Sequence, residues 1–160
     1  MADPGSSLDA DVDLHVPAER LELRPSAVPV IAAISAGGVV GALARYAMSV
    51  AWPHDAAGFA WSTWLVNVSG CLFIGVLMVL ISEVWVGRRL LRPFLGVGVL
   101  GGYTTFSTSV VDVQQAAGHG AAGVALLYLG ATLLGAVAAV WAGTTVTAWA
   151  VRARRPGQDG

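Results

Sequence analysis

The chain has 160 residues, 56% hydrophobic and 12% charged, with a mean hydropathy of +0.69 and a formal net charge of −1. Soluble domains carry about a quarter of their residues as charged side chains, so this composition excludes one and points to an integral membrane protein. The single cysteine, Cys71, rules out an internal disulfide and reads as a small buried hydrophobe.

Residues 1–28, MADPGSSLDADVDLHVPAERLELRPSAV, hold six of the ten acidic residues and few large apolar groups. No Lys or Arg precedes Arg20, so the positive start of a secretory signal is missing. This stretch is expected to be a disordered acidic extension. Four apolar spans follow it. Pro29 to about Val50 is uncharged except for Arg45, and Trp61 to about Ser82 is interrupted only by Asn67 and small hydroxyls. Phe94 to about Val111 contains GGYTTFSTS (101–109), and Ala121 to about Val151 carries no charge. Each reaches the roughly 18–25 residues that cross a bilayer, and the last is long enough to tilt or project. Trp52, Trp61, Trp64, Trp85 and Trp149 fall near span ends, where an interfacial belt belongs. Residues 29–151 are thus expected to form a four-helix membrane domain, with 152–160 a basic tail.

The loops WPHDAAG, EVWVGRRLLR and QQAAGHG leave no room for a catalytic domain outside the membrane. His15, His54 and His119 fall in the extension or in loops, without partners at metal-ligand spacing. Glu83 and Asp112 sit at span ends and read as interfacial rather than as a paired acid and base. The pattern argues against an enzyme. Gly37 and Gly41, Ala131 and Gly135, and Ala139 and Gly143 are each four apart, the spacing at which small residues let helices approach in lipid.

The polar groups inside the spans are mostly uncharged. Asn67 alone reads as an interhelical hydrogen bond, worth about 0.6–2 kcal/mol. Arg45 is near enough to a span end to snorkel, and Tyr128 and Thr132, four apart, share one helix face. Residues 101–109 are harder to reconcile with a plain span. Glycine costs about 1 kcal/mol relative to alanine in a helix interior, and here two adjacent glycines precede a row of hydroxyls. A break at Gly101-Gly102 would free carbonyls, which membranes tolerate only where protein buries them or a wet cavity receives them. Such carbonyls suit a small hard cation. The hydroxyls of Thr105, Ser107 and Thr108 can donate to an anion, and the edge of Phe106 is positively polarised. Uncharged donors suit a small hydrated anion that must both enter and leave. The residues therefore point to a small channel or transporter, with an anion favoured.

GGVVGALARY (37–46), TWLVNVSGCLFIG (63–75), GVGVLGGYTTFSTS (96–109) and ALLYLGATLLG (125–135) together resemble the Fluc/CrcB fluoride channels, in order across all four spans. The resemblance implies an all-α integral membrane protein with four transmembrane helices per subunit, the third broken near its middle, paired as an antiparallel (inverted) dimer. It implies passive export of fluoride from the cytoplasm across the cell membrane, relieving fluoride toxicity. It also implies a structural sodium ion (Na+) at the dimer centre, not transported, held by the backbone carbonyls of Gly101 and Thr104. Asn67 would donate its amide to fluoride near a pore mouth. Phe106 would line the pore, with Ser107 and Thr108 on a polar track that Tyr128 and Thr132 continue, and Arg45 would stand at an aqueous vestibule. The expected partners are fluoride, membrane lipid and a second subunit, with no nucleic acid. The family's run continues TTFSTF, so Ser109 stands where a second pore phenylalanine belongs.

The arginines carry an independent signal. With four spans, both termini and the 83–92 loop share one side, which holds Arg20, Arg24, Arg88, Arg89, Arg92, Arg152, Arg154 and Arg155; only Arg45 lies near the other face. This bias places both termini in the cytoplasm and fixes one orientation. Together with Ser109 it suggests a heterodimer with an inverted homologue, against a homodimer that tolerates the substitution. A small four-helix cation or multidrug exporter would need a membrane-embedded carboxylate, which the first span lacks. A non-conducting partner subunit would leave the ordered row of Asn, hydroxyls and Phe unexplained.

Overall fold

The computed structural model describes residues 27–154. Helix α1, Ala27–Ala51, begins two residues ahead of Pro29, which falls in its first turn where a missing N–H is tolerated. The expected extension therefore overlaps α1 at Ala27 and Val28, and its other residues lie outside the described ones. Trp52 N–H still donates to Met48 O, and Pro53, with no N–H, cannot continue the ladder. Helix α2 is Trp61–Glu83. The third span starts as α3, a π-helical segment Arg92–Leu100 with Pro93 in its first turn, and runs directly into the α-helical turn α4, Gly101–Tyr103. Helices α5, Ser107–Gly118, and α6, Ala122–Ala153, complete the order. Among the described residues, four stretches are long and apolar enough to cross a membrane: α1, α2, Arg92–Gly118 and α6. Helix α6 continues into the expected basic tail as far as Ala153, and residues 155–160 lie outside the described ones.

The α5–α6 turn shows how tightly the third and fourth spans are joined. Gly120 has φ +80°, Ala121 N–H reaches back to Ala116 O at 2.9 Å, and Gly120 N–H reaches Ala117 O at 3.0 Å. This is a Schellman C-cap, whose left-handed position costs glycine nothing.

Two seams hold the bundle: α1 runs along α3 and α4, and α2 runs along α6, with α5 laid on α6 as well. Both seams are backbone-close. A methyl group at Gly41 would collide with Val99 O and Tyr103 N, and one at Gly143 would lie 2.5 Å from Leu72 O. Such approach maximises van der Waals contact where lipid offers no hydrophobic drive between helices. Gly102 belongs to this seam, because its added carbon would sit 2.5 Å from Gly38 O.

That placement corrects the sequence reading of the glycine pair. Gly101 and Gly102 are both helical, and the ladder is interrupted at residues 104–106, where Thr104 is extended (φ −75°, ψ 159°). The glycines serve helix contact, and a side chain from α2 diverts the ladder three residues later.

Candidate functional site

That side chain is Asn67. Its Oδ1 accepts from Thr105 N–H at 2.8 Å, and its Nδ2 donates to Thr105 O at 2.9 Å and to Ser109 Oγ at 2.9 Å. Helical geometry would have sent Thr105 N–H to the carbonyl of Gly101. One residue of α2 thus satisfies both backbone groups of an interrupted residue in another span, as buried peptide groups require. Thr105 and Ser109 are four apart, so both face inward, at 9% and 6% exposure. Ser109 Oγ also donates to Thr105 O at 3.2 Å and accepts from the hydroxyl of Tyr128 at 3.1 Å. Tyr128, itself buried, meets the edge of Phe59 with ring centroids 5.2 Å apart. Asn67, Thr105, Ser109 and Tyr128 therefore form one network joining α2, the interruption, α5 and α6.

Beside the network lies a cleft of about 210 Å³, lined by Arg45, Ser49, Ser62, Thr63, Thr105 and Thr108 among others. Arg45 is its charged member. Thr105 Oγ1 donates to Thr108 Oγ1 at 3.0 Å and accepts from Thr108 N–H at 3.2 Å, while Ser107 Oγ lies 3.4 Å from Thr105 Oγ1. Thr108 and Ser107 are therefore grouped around Thr105, and Arg45 lines the same cleft as Thr105 and Thr108.

The other expected positions fall differently. Phe106 is 83% exposed on the chain whereas Ser109 is buried. Thr132 is half-buried and donates its hydroxyl to Tyr128 O at 2.7 Å, which uses its only proton. Asn67 commits both amide protons inside the chain, so in this arrangement neither is free for an anion. Ser109, read from the sequence only as a lost aromatic, is the junction of the network.

Gly101 and Thr104 share a second feature. Thr105 N–H goes to Asn67 and Thr108 N–H goes to Thr105 Oγ1, so both carbonyls lose their usual helical donors.

Asp112 is drawn into the chain near its span end. It stands one turn beyond Ser109 with its side chain only 9% exposed and its Oδ1 3.5 Å from His54 Nε2, and its Oδ2 is buried without a hydrogen-bond partner among the described residues. The spacing 105, 109, 112, 116 carried that signal, since it repeats every three to four residues along one helix face. Ser62, Thr63 and Phe59 were not singled out from the sequence. Thr63 alone was legible, one turn before Asn67.

A family model described as "CrcB-like protein, Camphor Resistance (CrcB)" matches residues 32–144. The chain belongs to this family. Among CrcB relatives, "Fluoride-specific ion channel FluC 2" of Nocardia farcinica is 49% identical over 142 residues, covering 89% of this chain and 99% of that protein. "Fluoride-specific ion channel FluC 1" of Streptomyces coelicolor is 52% identical over 124 residues, 78% of each chain. "Fluoride-specific ion channel FluC 2" of Streptomyces avermitilis is 47% identical over 130 residues, 81% of this chain and 82% of that one. All three are named as channels, not enzymes. The matched region spans the α1–α3 seam, the interruption and most of α6, so it includes every residue of the network.

Proposed function

We propose that this protein is a fluoride-selective channel that lets fluoride leave the cytoplasm passively and so relieves fluoride toxicity. It is a multi-pass membrane protein and not an enzyme. The observation that carries the reading is the membership itself, with relatives named as fluoride-specific ion channels at 47–52% identity across the helices that build the network. The chemistry of the site supports it. The cleft is lined by the hydroxyls of Ser49, Ser62, Thr63 and Thr108 and by one arginine, Arg45, and uncharged donors suit a small anion that must both enter and leave.

The working unit is an antiparallel dimer with its third helix broken at residues 104–106, set in the cell membrane with both termini cytoplasmic. Phe106, 83% exposed on a single chain, supplies an aromatic edge for a pore shared with the second subunit. The diverted donors at Gly101 and Thr104 fit a structural sodium ion, because a carbonyl without a helical N–H partner is a ligand for a hard cation. That ion would supply a fixed positive charge that helps hold the two subunits in register. The arginine bias favours one orientation for this chain, hence an inverted homologue as partner.

Fluoride efflux from liposomes holding the purified chain, with chloride as control, tests the reading. Selective efflux from the chain alone supports a conducting homodimer. Silence alone with rescue by a co-reconstituted inverted homologue supports the heterodimer. Silence in both cases from folded protein overturns the channel.

A further inference from the structure

Resting on the channel reading, we infer that Ser109 sets how readily the site accepts an anion, because its hydroxyl oxygen occupies the position the anion would take. Ser109 Oγ receives one hydrogen bond from Asn67 Nδ2 on α2 at 2.9 Å and one from Tyr128 OH on α6 at 3.1 Å. Two donors from two different helices thus converge on one atom that is only partly negative. A hydroxyl has two lone pairs and one proton, and the proton goes to Thr105 O at 3.2 Å, so Ser109 is saturated. The remaining proton of Asn67 Nδ2 is held by Thr105 O at 2.9 Å. The convergent pair is therefore the only donor pair of the network that a small anion can take over without dismantling the interruption.

Ser109 is a competitor tethered inside its own site. An anion must displace the hydroxyl, and the apparent affinity falls by the fraction of time the hydroxyl stands aside. The vacated volume is that of one oxygen atom, which admits an ion of fluoride size and not one of chloride size. Asp112, one turn further along α5 toward the span end, has its carboxylate 3.5 Å from His54. Arg45 on the cleft side is the cation that draws the anion in.

Ser109→Ala in the full chain tests the assignment, read by the fluoride-dependent rise in thermal unfolding midpoint of the detergent-solubilised protein, with chloride as control. The half-saturating fluoride concentration is expected to fall about tenfold, the equivalent of one hydrogen bond of about 1.4 kcal/mol, with no response to chloride. A half-saturation that is unchanged or higher in folded Ser109→Ala overturns the inference, as does the absence of any fluoride response in both proteins. Should Ser109→Ala fail to fold, Ser109→Cys replaces the oxygen by a larger but much poorer hydrogen-bond acceptor. It should lower the half-saturation by a smaller factor, and an unchanged value sinks the assignment. Liposome efflux by the wild-type chain, alone and with a partner, reports separately on the channel. Failure there with a tenfold binding shift intact would remove the conduction reading and leave the role of Ser109 standing.

Discussion

At the scale of single residues, the molecule turns on how few hydrogen-bonding groups are left over. Asn67 makes three contacts, two of them to the backbone of Thr105 and one to Ser109. Asn67→Leu keeps the branched skeleton and removes all three, leaving the buried amide of Thr105 without its acceptor. Each orphaned group costs about 1–3 kcal/mol, so the thermal unfolding midpoint in detergent should drop clearly, and fluoride efflux should fall with it. A variant that unfolds at the wild-type temperature would show that the interruption is held by something other than Asn67. The sequence had singled out Asn67, Tyr128 and the hydroxyl row from their residue types in an apolar setting. It did not show that Ser109 faces inward, because a Ser in a row of hydroxyls carries no direction. Only the partners on α2 and α6 supply that direction.

At the scale of elements, the glycines of α1 divide by what lies opposite them. A carbon added at Gly41 would collide with the backbone of Val99 and Tyr103, whereas one added at Gly38 meets nothing within 4 Å. Gly41→Ala should destabilise the protein by about 1–3 kcal/mol through overpacking of a backbone seam. Gly38→Ala should leave stability unchanged or slightly raised, since alanine is the better helix former. Paired thermal melts of the two variants check this, and equal melting temperatures would show that the α1–α4 approach is not rigid. The same distinction explains the misplaced break. Two adjacent glycines signal both a weak helix and a close contact, and local propensity does not separate them. The contact wins here, because Gly102 faces Gly38 on α1, while the ladder gives way at Thr104–Phe106, where Asn67 offers Thr105 a substitute partner.

At the scale of the whole molecule, the arginine distribution makes the strongest prediction. Eight of the nine Lys and Arg residues lie on the side shared by both termini and the 83–92 loop, so the chain should insert in one orientation. Tags at either end, probed with an impermeant reagent in intact cells, should be protected in nearly all molecules. Equal accessible and protected populations would discard the single-orientation heterodimer and favour a homodimer of both orientations. Composition and hydropathy by themselves determined the membrane class, the number of spans and which spans carry polar residues, because each depends on the residues of one segment against a uniform apolar solvent. The motif order did the same for the family. The tertiary structure decided which of those polar residues meet. The network of Asn67, Thr105, Ser109 and Tyr128, and the inward turn of Asp112 toward His54, depend on how α2, α5 and α6 are set against one another. That arrangement follows from backbone contact at Gly75 and Gly143 and from the tight turn at Gly120, and pairings between segments leave no periodic trace within either one.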